Sequence, residues 1–549
     1  MPDPLLELRS AVDEAAASLR DGEADDATPK LERPPKPELG DYSTNAAMLL
    51  APARGEAPRE VAERLREELG GRLGSTADRI EVAGPGFLNL FLADRWYRAG
   101  VAAVLEAGDG FGAGVVAEAE RLLVEFVSAN PTGPLTAAGG RHAAYGDSVA
   151  RTLGLAGHEV EREYYLNDMG GQVRKFAESI AARMTGGEMP EDGYAGAYVE
   201  ELARELASDG ADPGDLDELE RLGVERMRVA IEETLERFGV RFDTWYSERS
   251  LYETGKMTAA IDELRRRGHV YESEGAMWLR TTAFGDDKDR VLVRSDGAPT
   301  YLAPDVAYHR DKLERGYERL LDVLGADHHG YVARMKAALE ALGFEPERFE
   351  GLIMQFVHVL EGEERAQMSK RRGDFVTLEE LIDDIGTDAA RFLMLQRSHD
   401  TTVDLDLELA RRQSQDNPVY YVQYAHARIA SILRKAGEGA ADAALESTEE
   451  TLAAPVEPSE RALVKRLLEL PGEVRSAAEM RAPQRLCAFA MATAADFHAF
   501  YRDCKVLGAE SEGGSPPGTE AGRLAICVAT KRVIARTLDL LGVSAPERM

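Results

Sequence analysis

The sequence predicts an α/β protein. A doubly wound parallel sheet is expected in the middle of the chain, after a smaller α+β unit and before an all-helical unit. Three observations predict this. Strand-like and helix-like runs alternate through the middle of the chain. The turn joining the first such strand to its helix is rich in Pro and Gly. Beyond residue 405 the pattern is helical almost throughout. With 549 residues the chain can hold three or four domains of about 100–200 residues each.

The first unit is expected over 1–105. Leu5, Leu8, Val12 and Leu19 follow helical spacing, and "DRIEVAGPGFLNLFLA" alternates like a hairpin around Gly84-Pro85-Gly86. The second is expected over 106–404. In it "RLLVEFV" reads as a strand, "AAYGDSVARTLGLAG" as a helix ending on Gly157, and "EVEREYYLND" as a strand again. That is a βαβ unit, which implies a parallel sheet. An acidic helical stretch near 183–240 reads as an insertion. The third unit, 405–549, carries four long amphipathic segments and reads as a helix bundle. An acidic connector, "GEGAADAALESTEETLAAPVEPSE", and a loop tip, "GAESEGGSPPGTEA", separate some of its helices.

Composition narrows the class. With 44% hydrophobic residues the chain has material for a sizeable core, and no apolar run approaches the length of a membrane span. The start, "MPDPLLELRS", lacks the basic and apolar regions of a secretory leader. Cys487, Cys504 and Cys527 lie far apart, which argues against a disulfide framework or a zinc site and for a reducing cytoplasm. The net charge of -32 argues against a general polyanion binder, although a basic groove can sit on an acidic body.

Four stretches carry candidate chemistry. "NPTGPLTAAGGR", Asn130–Arg141, joins strand to helix, where free N–H groups and the helix dipole suit an anion; packing is the alternative for Gly139 and Gly140. "AQMSKRRGDFVTLEEL" combines Ser369, Lys370, Arg371 and Arg372 with Gly373. It suits either a loop that folds over a polyphosphate or a solvated basic surface. Glu125, Tyr301 and Asp305 supply two carboxylates and a phenol that suit the planar fork of a guanidinium, although Asp305 could equally cap a helix. In "GADHHGYVARM" two adjacent histidines lack a third ligand at metal spacing, so no metal site is expected.

In this order, and at these separations, the segments resemble the arginyl-tRNA synthetase family of class I aminoacyl-tRNA synthetases. "EFVSANPTGPLTAAGG" is similar to the region of the family's HIGH signature, and "QMSKRRGDFVTLEELIDDIGTDAARFLML" to its KMSKS loop. "QDNPVYYVQYAHARI" and "LLGVSAPERM" resemble the start and end of its anticodon-binding domain, and "GDYSTNAAM" and "VAGPGFLNL" its N-terminal tRNA-binding domain. The resemblance spans essentially the whole chain. It implies a Rossmann-like catalytic domain between an N-terminal α+β tRNA-binding domain and a C-terminal all-α anticodon-binding bundle. It also implies a monomeric cytoplasmic enzyme that uses ATP and Mg²⁺ to attach L-arginine to its cognate tRNA.

The resemblance also implies roles. Glu125, Tyr301 and Asp305 would bind the guanidinium, Ser128 and Asn130 would hold the α-amino and carboxylate end, and His329 falls where the family often places a Gln beside the amino acid. ATP would meet Pro131, Thr136, Gly139, Gly140, Met368, Ser369 and Lys370, with Thr136, Ser369 and Lys370 acting in catalysis. Tyr42, Asn45, Tyr424, Arg428 and Met549 would meet tRNA, where aromatic and Arg planes stack on unpaired bases. Two departures stand out. Thr136-Ala137-Ala138-Gly139 replaces the HIGH tetrapeptide, removing both signature histidines, and Gln367 replaces the first KMSKS lysine. The phosphates would then be held mostly by helix backbone, assisted by the Thr136 hydroxyl and by His142 one turn on.

Overall fold

The strand Arg121–Glu125 (β1) lies at the centre of the molecule. Leu122, Leu123 and Val124 are fully buried, each worth about 1.5–3 kcal/mol. Successive residues of a strand face opposite ways, and here Leu122 and Val124 join one apolar core while Leu123 joins another. A strand covered on both faces belongs in a parallel sheet, which explains its unbroken apolar run. The computed structural model describes residues 4–20, 28–362, 364–365, 376–448, 454–510 and 515–549.

The sheet has five parallel strands: β1, β2 (Glu159–Leu166), β3 (Thr244–Ser247), β4 (Arg319–Gly325) and β5 (Phe349–Met354). Their spatial order is β5-β4-β1-β2-β3. The chain winds outward from β1 to β3, then returns to the far side of β1 to form β4. The strand order therefore reverses between β1 and β4, and a crevice opens there beyond their carboxyl ends. Helix α1 (Ala137–Ala156) connects β1 to β2 and lies very close to the strand. A Cβ at Gly146 would fall 2.2 Å from Cγ of Phe126.

The acidic stretch at 183–240 contains α3 (Ala197–Ser208) and α4 (Leu216–Arg237). They pack on α2 (Gly171–Thr185) through Phe176, Ile180, Val199, Leu202 and Leu219, so the three helices together form the β2–β3 crossover. A simple strand–helix alternation does not anticipate what precedes β4. Val270–Ser273, Ala276–Leu279 and Arg290–Val293 form a small antiparallel sheet, followed by α5 (Leu302–Glu314). Each of these strands has only four residues, too few for a clear period-two pattern. After β5, Val357–Glu361 pairs in parallel with Val403–Asp406.

In the N-terminal unit Ala77–Ala83 and Phe87–Leu92 form the expected hairpin within a four-stranded sheet. The C-terminal part is helical, with α6 (Pro418–Ala436), α7 (Gln484–Asp503) and α8 (Thr519–Leu540) as its longest members. The start of the expected acidic connector forms a helix, Glu438–Leu445. Residues 449–453 of that connector and 511–514 of the loop tip lie outside the described residues.

Gly146→Ala is expected to destabilise the protein by at least about 1–3 kcal/mol, because the Phe126 ring cannot yield without moving β1. A lowered urea midpoint would register it; an unchanged midpoint would show that α1 can move off the strand.

Candidate active site

Immediately after β1 the chain turns through strained backbone. Val127 and Ser128 have φ of 68° and 38°, unusual for residues with a Cβ and costing of order 1–3 kcal/mol each. The turn brings Ser128 back onto the strand end, where its hydroxyl donates to Glu125 Oε1 at 2.8 Å and accepts the Tyr165 N–H at 3.1 Å.

The other oxygen of Glu125 faces a buried lysine. Lys312 Nζ donates to Glu125 Oε2 at 2.5 Å and to Asp322 Oδ1 at 3.0 Å. His309 Nε2 meets the second oxygen of Asp322 at 2.7 Å. Burial opposes the charge on Lys312, but Asp322 and Glu125 outweigh it and hold the lysine above its usual pKa. Burial likewise opposes ionisation of Asp322, but Lys312 and His309 keep its carboxyl below the usual range. Glu125, His309 and Asp322 lie close enough to chelate a cation. The ammonium already fills that role, so the cluster does not fit a resident metal.

Beside this network lies a cavity of about 970 Å³ at the sheet's switch point. Glu125, Ser128, Asn130, Tyr301 and Asp305 all line it, so the structure brings these sequence candidates together. Asn130 is fixed on both sides, accepting from Asn167 at 2.7 Å and donating to Gln172 at 2.8 Å. Tyr301 stands 82% exposed, just ahead of α5. His329 opens the helix after β4, and its side chain lies outside the described residues.

Asp305 differs from Glu125 in having no partner. Among the described residues no hydrogen bond or ion pair reaches its carboxylate, and the same holds for Glu248, which lines the same cavity. Burial pushes Asp305 up to about 6, with Glu125 and Asp322 adding repulsion against the opposing pull of His309. Burial also pushes Glu248 up to about 7, with Asp305 and Asp168 adding to it. Sequence reasoning missed Glu248, the first residue of a short helix capped by Ser247. It also missed Lys312, although Asp305, His309 and Lys312 recur at i, i+4 and i+7 on one face of α5.

The start of α1 is less open than expected. Thr136 caps the helix, its Oγ1 accepting the Gly139 N–H at 3.3 Å, and its carbonyl accepts from Gly140 at 3.0 Å. The Ala137 N–H donates to the Val376 carbonyl at 3.1 Å, and Leu378 N–H to Leu135 at 2.8 Å. Among the described residues, the N–H groups of Gly133, Leu135, Thr136 and Ala138 keep no hydrogen-bond partner in this turn. The cap and the neighbouring segment thus take the Gly139 and Ala137 amides, while those four remain unpaired. Gly140 serves packing: a Cβ there would fall 2.7 Å from Leu378 Cδ1. Thr136 and His142 line the cavity, whereas Pro131, Gly139 and Gly140 do not. Burial, with Arg141 adjacent, lowers His142 to about 4, leaving a neutral imidazole at physiological pH. Met368, Ser369 and Lys370 lie outside the described residues.

The five residues expected to meet RNA fall into different environments. Tyr42 is only 3% exposed and packs edge-on against Trp96, so its side chain supports the fold instead of presenting a surface. Asn45 accepts from the Lys30 N–H and lines a surface cavity of about 470 Å³. Arg428 stacks over the rings of Tyr424 and Tyr501, 4.6 and 4.8 Å from their centroids. Met549 is exposed at the chain end.

A doubly wound sheet with its cavity at the switch point, followed by a helix bundle, is the architecture of a class I aminoacyl-tRNA synthetase. Family models match three stretches: Arginyl tRNA synthetase N terminal domain over residues 6–92, tRNA synthetases class I (R), catalytic domain over 197–429, and DALR anticodon binding domain over 422–549. The chain is 46% identical over 535 residues to the arginine–tRNA ligase of Geobacillus thermodenitrificans, covering 94% of each. It is 45% identical over 542 residues to that of Frankia alni, covering 97% of each. The solved arginyl-tRNA synthetase of Thermus thermophilus superposes with a TM-score of 0.74 at 25% identity, covering 100% of both chains. The chain belongs to the arginyl-tRNA synthetase family, and it is an ATP-dependent arginine–tRNA ligase.

Lys312→Met is expected to destabilise the protein by about 3–5 kcal/mol, because Glu125 and Asp322 would be left facing each other without a cation. The loss should shrink at low pH, where both carboxyls can take up protons. A loss independent of pH would mean that packing, not charge, is what Lys312 supplies.

Proposed function

We propose that the cavity binds L-arginine with its guanidinium between Asp305 and Glu248, Tyr301 at the rim, and Glu125 behind. Ser128 and Asn130 would hold the amino acid's α-amino and carboxylate end, and His329 is assigned beside the amino acid. The observation that carries this reading is the pair of half-buried carboxylates in one cavity that no hydrogen bond or ion pair reaches among the described residues. A guanidinium is planar, permanently charged and able to donate to both at once. A neutral amino acid would leave the two charges uncompensated.

In this reading the arginine carboxylate attacks the ATP α-phosphate and pyrophosphate departs. The 2′-hydroxyl of the tRNA's terminal adenosine then attacks the acyl carbon, and AMP departs. The Thr136 hydroxyl, whose oxygen accepts from Gly139, still has its proton to donate to a phosphate oxygen. Neutral His142 on the same cavity offers a second hydrogen-bonding group. Ser369 and Lys370 would close over the phosphates. Asp327, an exposed carboxylate on the cavity, would hold a hydrated Mg²⁺, which would supply charge neutralisation for the ATP phosphates. The tRNA would be read at Asn45, Tyr424, Arg428 and Met549. The same reading takes the enzyme as a cytoplasmic monomer with units at 1–105, 106–404 and 405–549.

Pyrophosphate exchange with arginine, ATP, Mg²⁺ and cognate tRNA tests the reading. Asp305→Ala is expected to raise the arginine KM about a hundredfold, the cost of removing one partner of a buried charge pair, while leaving the ATP KM within about twofold. An unchanged arginine KM would refute the pocket.

Acidity supplies a second test. Asp305 and Glu248 hold protons up to about 6 and 7 in the empty cavity, and a bound guanidinium requires both ionised. Arginine binding must therefore release protons below those values, so affinity should rise with pH from 5 to about 7.5 and then level off. Without ligand the sign reverses: carboxyls held above their unfolded pKa stabilise the fold at low pH and lose that contribution as pH rises through about 7. Calorimetry in buffers of different ionisation enthalpy would detect the released protons. Equal apparent heats at pH 6 would contradict the assignment.

A further inference from the structure

Three tyrosines stack beneath the carboxylates: Tyr165 lies 4.4 Å from Tyr308 and 6.3 Å from Tyr246, centroid to centroid. Two of their hydroxyls are engaged. Tyr308 donates to Glu163 Oε1 at 2.7 Å, and Tyr246 accepts from Lys256 at 3.4 Å. The Tyr165 hydroxyl is buried with no hydrogen-bond partner, although the residue lines the cavity and is only 7% exposed. Buried hydroxyls nearly always have a partner, so one without is a candidate for a function. Its charged neighbours identify the function. Burial pushes the Tyr165 phenol far above the ordinary tyrosine pKa, and the negative charges of Glu248, Asp305 and Glu125 add to it. Glu125 is occupied by Ser128 and Lys312, whereas Asp305 and Glu248 are open. Three groups that can hydrogen-bond, and do not, thus share one end of one cavity.

We infer that Tyr165 is a specificity-determining residue of the arginine pocket, its hydroxyl unpaired in the empty enzyme and paired when a guanidinium is bound. A guanidinium brings five N–H donors into the space between the two carboxylates. Once it satisfies one face of each carboxylate, the phenol can donate to a remaining carboxylate oxygen or accept a guanidinium N–H. Lysine, with a compact ammonium of three donors, cannot span the same set. An arginine methylated on a terminal nitrogen puts a methyl group where a donor is required. The inference rests on the pocket assignment under Proposed function.

Tyr165→Phe separates this role from packing. The substitution removes a hydroxyl that bonds nothing in the empty enzyme, so thermal stability without ligand should hold or rise. Arginine KM in pyrophosphate exchange should rise about five- to tenfold, with the ATP KM unchanged. Preference for arginine over Nω-methylarginine should narrow by a similar factor. Lowered ligand-free stability with an unchanged arginine KM would overturn the inference and make the hydroxyl structural, and an unchanged KM at unchanged stability would overturn it as well. Asp305→Ala in the same assay separates the two levels. If that variant loses arginine affinity and Tyr165→Phe does not, only the role of Tyr165 falls. If neither loses it, the pocket itself is wrong.

Discussion

The ammonium of Lys312, buried between Glu125 and Asp322, is the interaction on which the rest of the site depends. It stands where the strand order reverses, joining the ends of β1 and β4 through α5. Without it, Glu125 and Asp322 would take up protons or draw in a metal. With it, the end of the sheet is fixed and already compensated. Asp305 and Glu248 then remain as negative charge that the protein does not neutralise. Glu125, Glu248, Asp305, Asp322 and Asp327 line the cavity against one arginine, Arg294, so negative groups outnumber positive ones there, and in the proposed reading a ligand carrying a positive fork supplies the missing charge. Selectivity for such a ligand follows from a deficit of charge that the fold maintains. A buried salt bridge is weak evidence for stability, but here it decides which carboxylates stay available.

Helix α1 carries this order to the other end of the cavity. Its first turn is locked to 376–378 through the Ala137–Val376 and Leu378–Leu135 hydrogen bonds. Arg141 donates to the carbonyls of Gln355, Ser398 and Thr401 at 2.7, 2.8 and 2.8 Å. Farther along, Ser148 donates to Leu540 at 2.8 Å, and Asp147 receives Arg391, which also bonds the carbonyl of Leu541. One helix therefore touches the cavity, the segments on either side of the basic loop and the last helices of the chain. Gly146 lets it lie against Phe126, and that contact keeps the helix start level with the strand end.

The sequence made the parallel sheet legible because β1 is apolar on consecutive residues and the turn after it is rich in Pro and Gly. Glu125 and Asp305 read as carboxylates that suit a guanidinium, but Asp305 reads as well as a helix cap, and only the family resemblance joins the two. The small sheet at 270–293 was hidden, since four-residue strands carry too little pattern. Glu248 was hidden for another reason. A glutamate opening a capped helix is ordinary, and nothing local says that it faces Asp305 across a cavity. Tyr42 misled in the opposite way, because an aromatic in a motif reads as a contact when its work is burial against Trp96. Lys312 was within reach, since its spacing from Asp305 puts both on one face of a helix. Periodicity shows which residues share a face; it does not show which faces enclose a cavity.

The phosphate end is where sequence and structure together change the argument. The sequence removes two histidines and leaves a helix start that reads as an anion site. The structure then pairs two amides of that start, Gly139 with the Thr136 cap and Ala137 with Val376. A helix dipole persists when some amides are paired, the Thr136 and Ala138 N–H groups stay free, and Thr136 and a neutral His142 line the cavity. Neutral donors gain strength in a site that excludes water, and they keep the same charge from mild acid to alkaline pH. An imidazole with a pKa near 4 is no proton switch; it is a fixed dipole, suited to stabilising charge that forms on a departing group without taking up a proton. In the proposed reading the two ends of the cavity work by opposite means: ionisable carboxylates await a cation at one, and at the other, groups that keep a constant charge meet an anion.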